Sequence, residues 1–276
     1  MASLPFRTGG TAMHDLAQLR VEAGVATLTL DRSGRGNALV PELLDAMRDC
    51  LARAARADVH VLVLNAKGRA FSAGGDVAGF AGHGADTQAL LAYSADIVGA
   101  LNRTILDLLA FPAPVVAAVN GAVTGGSVGF VLASDIAVMS ERAFLQPYYG
   151  DMGFAPDGGW TALLPERIGA AKALEVQYLN TRLDARACRD LGLASRVVSP
   201  EELEGETDAL VKVIVSKDPA SLKASRANVW SPSRRARVAA ALERERAGFL
   251  RLIARPETAA RMAAFLAPAA FAEKGR

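Results

Sequence analysis

The sequence is poor in the residues that carry redox, metal and cross-linking chemistry. Its 276 residues include two cysteines and three histidines. Cys50 and Cys188 both lie in helix-compatible stretches, which favours separate thiols over a disulfide framework. His14, His60 and His83 match no metal-binding spacing. A disulfide-stapled module and a metalloenzyme are therefore not expected, and we predict no bound metal or cofactor.

An excess of charge of one sign and long apolar runs are also lacking. Lysine and arginine number 31 against 29 acidic residues, a formal net charge of +2, so a nucleic-acid partner is not expected. No apolar run has the length of a membrane span, and the first residues lack the apolar core of a secretory signal. We predict a cytoplasmic protein without a membrane partner, with residues 1–13 as a flexible extension.

What the sequence has is enough apolar residues for a large core, 51% of the chain. Val59–Asn65 and Val115–Val119 are typical of buried strands, and Asp86–Ala110 is typical of an amphipathic helix. Alternating strands and helices imply an α/β architecture with parallel strands over residues 14–200. Helix-compatible segments separated by prolines then predict an all-helical region over residues 201–276.

Three local predictions concern loops and helix ends. The glycines of residues 79–84 predict a mobile loop, and Pro147–Gly159 predicts a loop rich in Tyr, Gly and Asp. The apolar periodicity of Leu163–Tyr178 predicts a single helix.

Two glycine turns follow apolar strands. One is Ala73–Asp76, and the other contains Gly125, Gly126 and Gly129 before an apolar run. A strand that passes through such a turn into a helix presents unpaired backbone N–H groups. Two such turns together can hold one oxygen that becomes anionic during a reaction.

With these segments in order, the chain resembles the enoyl-CoA hydratase/isomerase superfamily, also called the crotonase family. The resemblance rests on Arg32–Leu39 (RSGRGNAL), Gly68–Asp76 (GRAFSAGGD), Ala118–Asp135 (AVNGAVTGGSVGFVLASD), Gly153–Gly159 (GFAPDGG) and Ala187–Val198 (ACRDLGLASRVV). It implies a crotonase-like spiral of βαβ units, with C-terminal helices that serve oligomerisation and site closure. It also implies a homotrimer or dimer of trimers, and an acyl-CoA thioester whose coenzyme A is part of the substrate.

The resemblance also implies site residues. It places the thioester carbonyl between the N–H groups of Gly75 and Gly126, and adenine at the carbonyls of Ala38 and Ala73. The candidate substrate-binding residues are Arg32, Ala38, Ala73, Asp76, Tyr148, Tyr149 and Lys274. Arg32 is a candidate for the coenzyme A phosphates or a residue of a solvated loop. Asp76 is expected to stabilise its own turn through backbone hydrogen bonds.

The two glutamates of the family's hydratases align with Gly129 and with the region of Tyr148 and Tyr149, where this chain has no acid. The loop contains Asp157 instead, at a point where several superfamily members have a catalytic aspartate. Apolar neighbours predict a raised pKa, and one carboxylate suffices to move a proton between two carbons. We therefore expect double-bond isomerisation. Asp157 as a helix N-cap remains open, and Asp151 is the reserve candidate.

Three other functions remain open from the sequence. Hydration would need an atypical acid/base set, and a catalytically silent protein would only bind acyl-CoA. Gly125–Gly129 also matches the G-x-S-x-G motif of serine hydrolases, with Ser127 as nucleophile. All three histidines precede Ser127, whereas an α/β-hydrolase needs its histidine after the serine, so this reading is remote.

Overall fold

The computed structural model describes residues 16–267 and consists of two sheets surrounded by helices. Its strands are β1 (Ala17–Glu22), β2 (Val25–Leu30), β3 (Val61–Ala66), β4 (Val115–Val119), β5 (Ala122–Thr124), β6 (Ile136–Ser140), β7 (Phe144–Gln146), β8 (Leu183–Asp184) and β9 (Arg196–Val198). Its helices are α1 (Pro41–Arg56), α2 (Val77–Gly82), α3 (Thr87–Ala110), α4 (Val128–Leu132), α5 (Tyr149–Met152), α6 (Leu164–Ile168), α7 (Ala170–Tyr178), α8 (Ala185–Asp190), α9 (Leu203–Val215), α10 (Pro219–Val229), α11 (Pro232–Ile253) and α12 (Pro256–Leu266).

The main sheet has the strand order β1-β2-β3-β4-β6-β9. The β1–β2 hairpin is antiparallel, and each later neighbour pairs in parallel. The second sheet has the order β5-β7-β8, so from β4 onward the chain passes repeatedly between the two sheets. The predicted α/β architecture with parallel strands is therefore confirmed.

The main sheet is covered on both faces, as parallel sheets require. On one side α1 and α3 bury leucines and valines against the strands. On the other side Leu203, Leu210, Val211 and Ile214 of α9 pack on β3, β4 and β6. The last four helices, α9 to α12, form the helical C-terminal region, as the sequence predicts.

The structure corrects parts of three local expectations. Residues 79–84 are no open loop, because Asp76 caps α2 by accepting a hydrogen bond from the Ala78 N–H at 3.2 Å. The loop after β7 contains the short helix α5. Leu163–Tyr178 forms two helices, because Gly169 has φ +82°, a backbone conformation outside the α-helical region.

Three further expectations concern the cysteines, membrane-spanning helices and the N-terminal extension. Cys50 and Cys188 are buried free thiols, as predicted. Within residues 16–267 no helix is both long and apolar enough to cross a bilayer. The predicted N-terminal extension lies outside the described residues.

A buried arginine joins the C-terminal helices to the core. The Arg226 guanidinium on α10 donates to Asp135 at 2.7 Å and to the carbonyls of Leu108, Leu109 and Phe111 at 2.8, 2.9 and 2.6 Å. Those carbonyls belong to the end of α3, where a helix leaves its last acceptors unsatisfied. Asp135 also accepts from the Val115 N–H, the first residue of β4. One side chain thus connects α10, α3 and β4.

We predict that Arg226→Met lowers the free energy of unfolding by about 3–5 kcal/mol. Methionine keeps the volume of the side chain but leaves the partly buried Asp135 carboxylate and three carbonyls without this donor. Urea unfolding followed by circular dichroism measures the change. Arg237→Met, an exposed position on α11, is the matched control and is expected to stay within about 0.5 kcal/mol of wild type.

Candidate active site

The two glycine turns lie side by side. Ser72 pairs with the second sheet, as its N–H donates to the Ala122 carbonyl at 3.0 Å and its carbonyl accepts from Thr124 at 3.1 Å. A Cβ added to Gly74 would lie 2.6 Å from the Thr124 carbonyl oxygen. The first turn therefore touches the second through backbone atoms, and a side chain at Gly74 would separate them.

Gly75 and Gly126 both line one cavity. Within residues 16–267, no carbonyl or side chain accepts a hydrogen bond from either N–H. Unpaired backbone donors are rare in buried positions, and Gly126 is buried. Both donors therefore lack an acceptor in the described part of the chain.

The cavity has a volume of about 280 Å³ and a mostly apolar wall. Rings of Phe80, Phe154 and Phe249 form a cluster with centroids 5.2–6.1 Å apart. The remaining lining side chains include Val77, Tyr148, Tyr149, Asp151, Met152, Asp157 and Phe265. Such a space suits an apolar acyl group, with a few polar groups at one end to orient it.

Asp157 is the buried carboxylate of this cavity wall, with 7% of its surface exposed. Its loop approaches the second turn closely, because Gly158 has φ +64° and a Cβ there would lie 2.1 Å from the Gly126 carbonyl oxygen. A Cβ on Gly126 would lie 2.7 Å from the Asp157 Oδ1 atom. The carboxylate therefore packs against Gly126, and a side chain at this glycine would displace it.

Burial raises the pKa of Asp157 from its ordinary 3.8 to about 7. The Tyr149 hydroxyl donates to Asp157 Oδ1 at 2.5 Å and opposes that rise, because it stabilises the ionised form. The negative charge of Glu245 adds to the rise. Asp157 is thus able to exchange a proton near neutral pH.

Asp157 is not a helix N-cap. The helix after it, α6, begins at Leu164 and is capped at Leu163. The Asp157 carboxylate instead accepts from a phenol and faces the cavity. The capping alternative is therefore wrong.

The two tyrosines have different positions. Tyr149 is 5% exposed, and both burial and the neighbouring Asp157 raise its pKa well above the ordinary value. Tyr148 is half-buried at φ +64°, and its N–H donates to the Asn180 side chain at 2.8 Å. Asp151 is exposed and accepts from the same Asn180 side chain at 2.7 Å, so the reserve candidate is held in a surface hydrogen bond.

Gly129 has no room for a side chain. A Cβ there would lie 2.3 Å from Ile105 Cδ1 and 2.5 Å from the Gly158 carbonyl oxygen. The position that aligns with a hydratase glutamate is thus filled by α3 and by the Asp157 loop.

Arg32 has internal partners. Its guanidinium donates to the Ala38 carbonyl at 3.1 Å and to the Asp76 carboxylate at 2.8 Å. The side chain is 19% exposed, so it is not part of a fully solvated loop, and its role as a phosphate ligand stays a prediction. Ala73 is exposed at the cavity entrance. Lys274 lies outside the described residues.

Ser127 is a packing residue. It is fully buried, and its hydroxyl donates to the Thr124 carbonyl at 2.8 Å. The His83 ring stacks on Tyr93, and His60 lies beside Gly24, so neither histidine contacts the serine. In the part of the chain that the structure describes, Ser127 therefore has no histidine partner of the kind that a serine hydrolase needs.

Sequence reasoning missed Glu245 and the aromatic residues Phe80 and Phe249. Glu245 is 5% exposed and accepts hydrogen bonds from the loop after Asp157. The sequence signal for Glu245 was that an acidic residue occupies an apolar position of the amphipathic helix α11. Among the described residues, no cluster of His, Cys, Asp or Glu has the arrangement of a metal site.

The chain belongs to the enoyl-CoA hydratase/isomerase family, whose sequence profile matches residues 20–276. The recognition made from the motifs is therefore confirmed.

Individual relatives differ in the activity that their names give. A trans-2-decenoyl-[acyl-carrier-protein] isomerase of Streptococcus mutans is 31% identical over 77% of this chain and 81% of its own length. A probable enoyl-CoA hydratase of Mycobacterium bovis is 30% identical over 83% of this chain and 82% of its own. The crystal structure of an enoyl-CoA hydratase from Bacillus halodurans superposes with a TM-score of 0.84 at 21% identity, covering 90% of this chain and 99% of that one. This last similarity confirms the crotonase fold.

We predict that Asp157→Asn stabilises the fold increasingly as pH rises. A carboxyl whose pKa is raised on folding binds more protons in the folded state, so wild-type stability falls between pH 3.8 and about 7. Asparagine is neutral throughout and still accepts from Tyr149. The free-energy difference between variant and wild type is expected to grow by about 2–3 kcal/mol from pH 5 to pH 8.5.

Urea unfolding at the two pH values checks this difference. The control is Asp208→Asn, at an exposed position on α9. Its free energy of unfolding is expected to differ from that of wild type by the same amount at both pH values. If the difference in free energy of unfolding between Asp157→Asn and wild type does not change with pH, the raised pKa of Asp157 is contradicted.

Proposed function

We propose that this protein isomerises the double bond of an enoyl thioester by shuttling one proton with Asp157. The observation that carries the proposal is a buried carboxylate packed against Gly126, one of two glycines that line the same apolar cavity and whose N–H groups have no acceptor in the described chain. A base beside an oxyanion hole is what enolisation of a thioester requires. The isomerase named among the relatives supports the same class of reaction.

In the proposed reaction the Asp157 carboxylate removes a proton from C2 of a 3-enoyl thioester. The electron pair of that C–H bond moves toward the carbonyl oxygen, which accepts hydrogen bonds from the Gly75 and Gly126 N–H groups. The resulting dienolate takes the same proton back at C4. The double bond then lies between C2 and C3, and Asp157 is again ionised.

Two features favour proton transfer over hydration. The hydratase mechanism positions water between two carboxylates, and Gly129 leaves no space for the first. In the region of the second hydratase carboxylate this chain has Tyr149. The raised pKa of Tyr149 keeps its hydroxyl protonated, and the hydroxyl donates a hydrogen bond to Asp157. The substrate we propose is an acyl-CoA thioester, in keeping with the family.

A homotrimer or dimer of trimers remains a prediction from the family resemblance. Leu174, Tyr178 and Leu179 near α7 are exposed apolar side chains that an assembly could cover. Light scattering measures the state in solution.

The test of the reaction uses 2-enoyl- and 3-enoyl-CoA esters in deuterated water, with products followed by mass. Isomerisation gives a product of unchanged composition apart from deuterium. Addition of one water would instead establish hydration. Binding without exchange or turnover would establish a silent acyl-CoA-binding protein.

We predict that Asp157→Asn lowers isomerase kcat by more than about 10³-fold while the Kd for a saturated acyl-CoA changes by less than about threefold. An amide cannot accept the proton, but it fills the same space in the wall. Quenched time-course assays measure kcat, and isothermal titration calorimetry measures the Kd for the saturated acyl-CoA. Asp151→Asn is the matched control in the same wall, and is expected to retain most of its turnover.

We predict that Tyr149→Phe moves the acidic limb of the kcat–pH profile to higher pH. The hydroxyl stabilises ionised Asp157, so its loss raises the pKa of the base. Because the base acts in its ionised form, more alkaline conditions are then needed for full activity. A limb that stays in place or moves to lower pH would contradict this role of Tyr149.

A further inference from the structure

The side chain of Glu245, on α11, lies against the loop that follows Asp157. Its Oε2 accepts from the Gly159 N–H at 2.8 Å. Its Oε1 accepts from the Thr161 N–H and hydroxyl, both at 2.6 Å, and from the Ala162 N–H at 2.8 Å. Four donors converge on one carboxylate that is 5% exposed. Ionised carboxylates accept such bonds strongly, so this arrangement favours the charged form.

These bonds replace those that a helix or strand would supply. The residues between Asp157 and α6 form only turns, so their N–H groups need side-chain acceptors. Gly159 is two residues from Asp157, and Gly158 between them packs on the backbone of Gly126. The position of the Asp157 carboxylate relative to the second glycine turn therefore depends on what holds Gly159.

The same face of α11 reaches the acyl cavity. Phe249, one helical turn after Glu245, lines that cavity and lies 5.6 Å from Phe80 and 5.2 Å from Phe154 between ring centroids. A Cβ on Gly248 would lie 3.4 Å from the Ala155 Cβ, so the helix and the loop are in contact. One helix thus contacts both the acyl wall and the loop of the base.

We propose that Glu245 is a positioning residue for Asp157, and that α11 of the C-terminal helical region is needed to set the base of the active site. This inference rests on the proposed role of Asp157 as the base. It gives the C-terminal region a part in proton transfer in addition to closing the cavity.

The electrostatics agree with the geometry. The titratable groups that act on Asp157 are Tyr149 from α5 and Glu245 from α11. The negative charge of Glu245 raises the pKa of Asp157, second to burial among the causes of the rise. Burial also raises the pKa of Glu245, and its four hydrogen bonds oppose that rise.

The test is Glu245→Gln. The glutamine oxygen can keep the three donors around Oε1, but its NH₂ group then faces the Gly159 N–H, two donors opposed. We expect kcat to fall about 10–100-fold with KM within about threefold, because a small displacement of the base affects the chemical step more than binding. We also expect the acidic limb of the kcat–pH profile to move to lower pH, because a negative charge beside Asp157 is gone.

Two other variants are measured alongside. Glu243→Gln makes the same change on the same helix at an exposed carboxylate paired with Arg246, and is expected to leave both readouts unchanged. Thr161→Val removes one of the four donors and keeps the charge. We expect Thr161→Val to lower kcat about 3–10-fold and to leave the acidic limb of the kcat–pH profile at its wild-type pH. If Glu245→Gln fails to fold, Thr161→Val is the variant that tests the inference.

Direct titration separates this inference from the proposed function. ¹³C NMR of Asp157 in the substrate-free protein, assigned with Asp157→Asn, measures its pKa without turnover. If the wild type does not isomerise but the Asp157 pKa falls in Glu245→Gln, the proposed function fails and the coupling between Glu245 and Asp157 stands. If the variant keeps the wild-type pKa, kcat and pH profile, or if Thr161→Val keeps wild-type kcat, the inference is overturned.

Discussion

The active-site geometry depends on a close approach of backbone to backbone. Gly158 lies so near Gly126 that no Cβ fits between them, and Gly74 meets Thr124 in the same way. These contacts join three chain segments that are far apart in sequence. They place the Asp157 carboxylate against Gly126, at a cavity that Gly75 also lines, and neither glycine N–H has an acceptor in the described chain. A polar group preorganised in this way needs no rearrangement when charge develops during a reaction.

This arrangement carries local costs. Asp157 and Tyr149 are buried polar groups in an apolar wall, and burial disfavours the ionised form of each. The hydrogen bond between them offsets part of that cost for Asp157, and the four bonds received by Glu245 offset part of the cost of burying the Glu245 carboxylate. The surrounding core of leucine, valine and phenylalanine side chains provides the stability that lets these groups persist.

The C-terminal helices contribute hydrogen bonds to the α/β core as well as apolar contacts. Arg226 of α10 satisfies the carbonyls at the end of α3, and Glu245 of α11 satisfies the N–H groups of the Asp157 loop. In both cases a charged side chain from the helical region completes hydrogen bonds that the α/β core leaves open. The two regions are thus joined through polar contacts as well as through apolar packing.

The sequence alone determined the alternation of strands and helices, the two glycine turns and the family, because periodicity and turn chemistry are local properties. It also indicated that Asp157 sits among apolar residues, since its neighbours in the chain are apolar. It misjudged residues 79–84 and the break at Gly169, where a cap and a backbone conformation outweigh composition. Only the tertiary structure decided that Arg32 is held by Asp76, that Gly129 has no room for an acid, and that Glu245 reaches the loop after Asp157. Each of these depends on contacts between residues distant in the chain, and such contacts leave no periodic trace in the sequence.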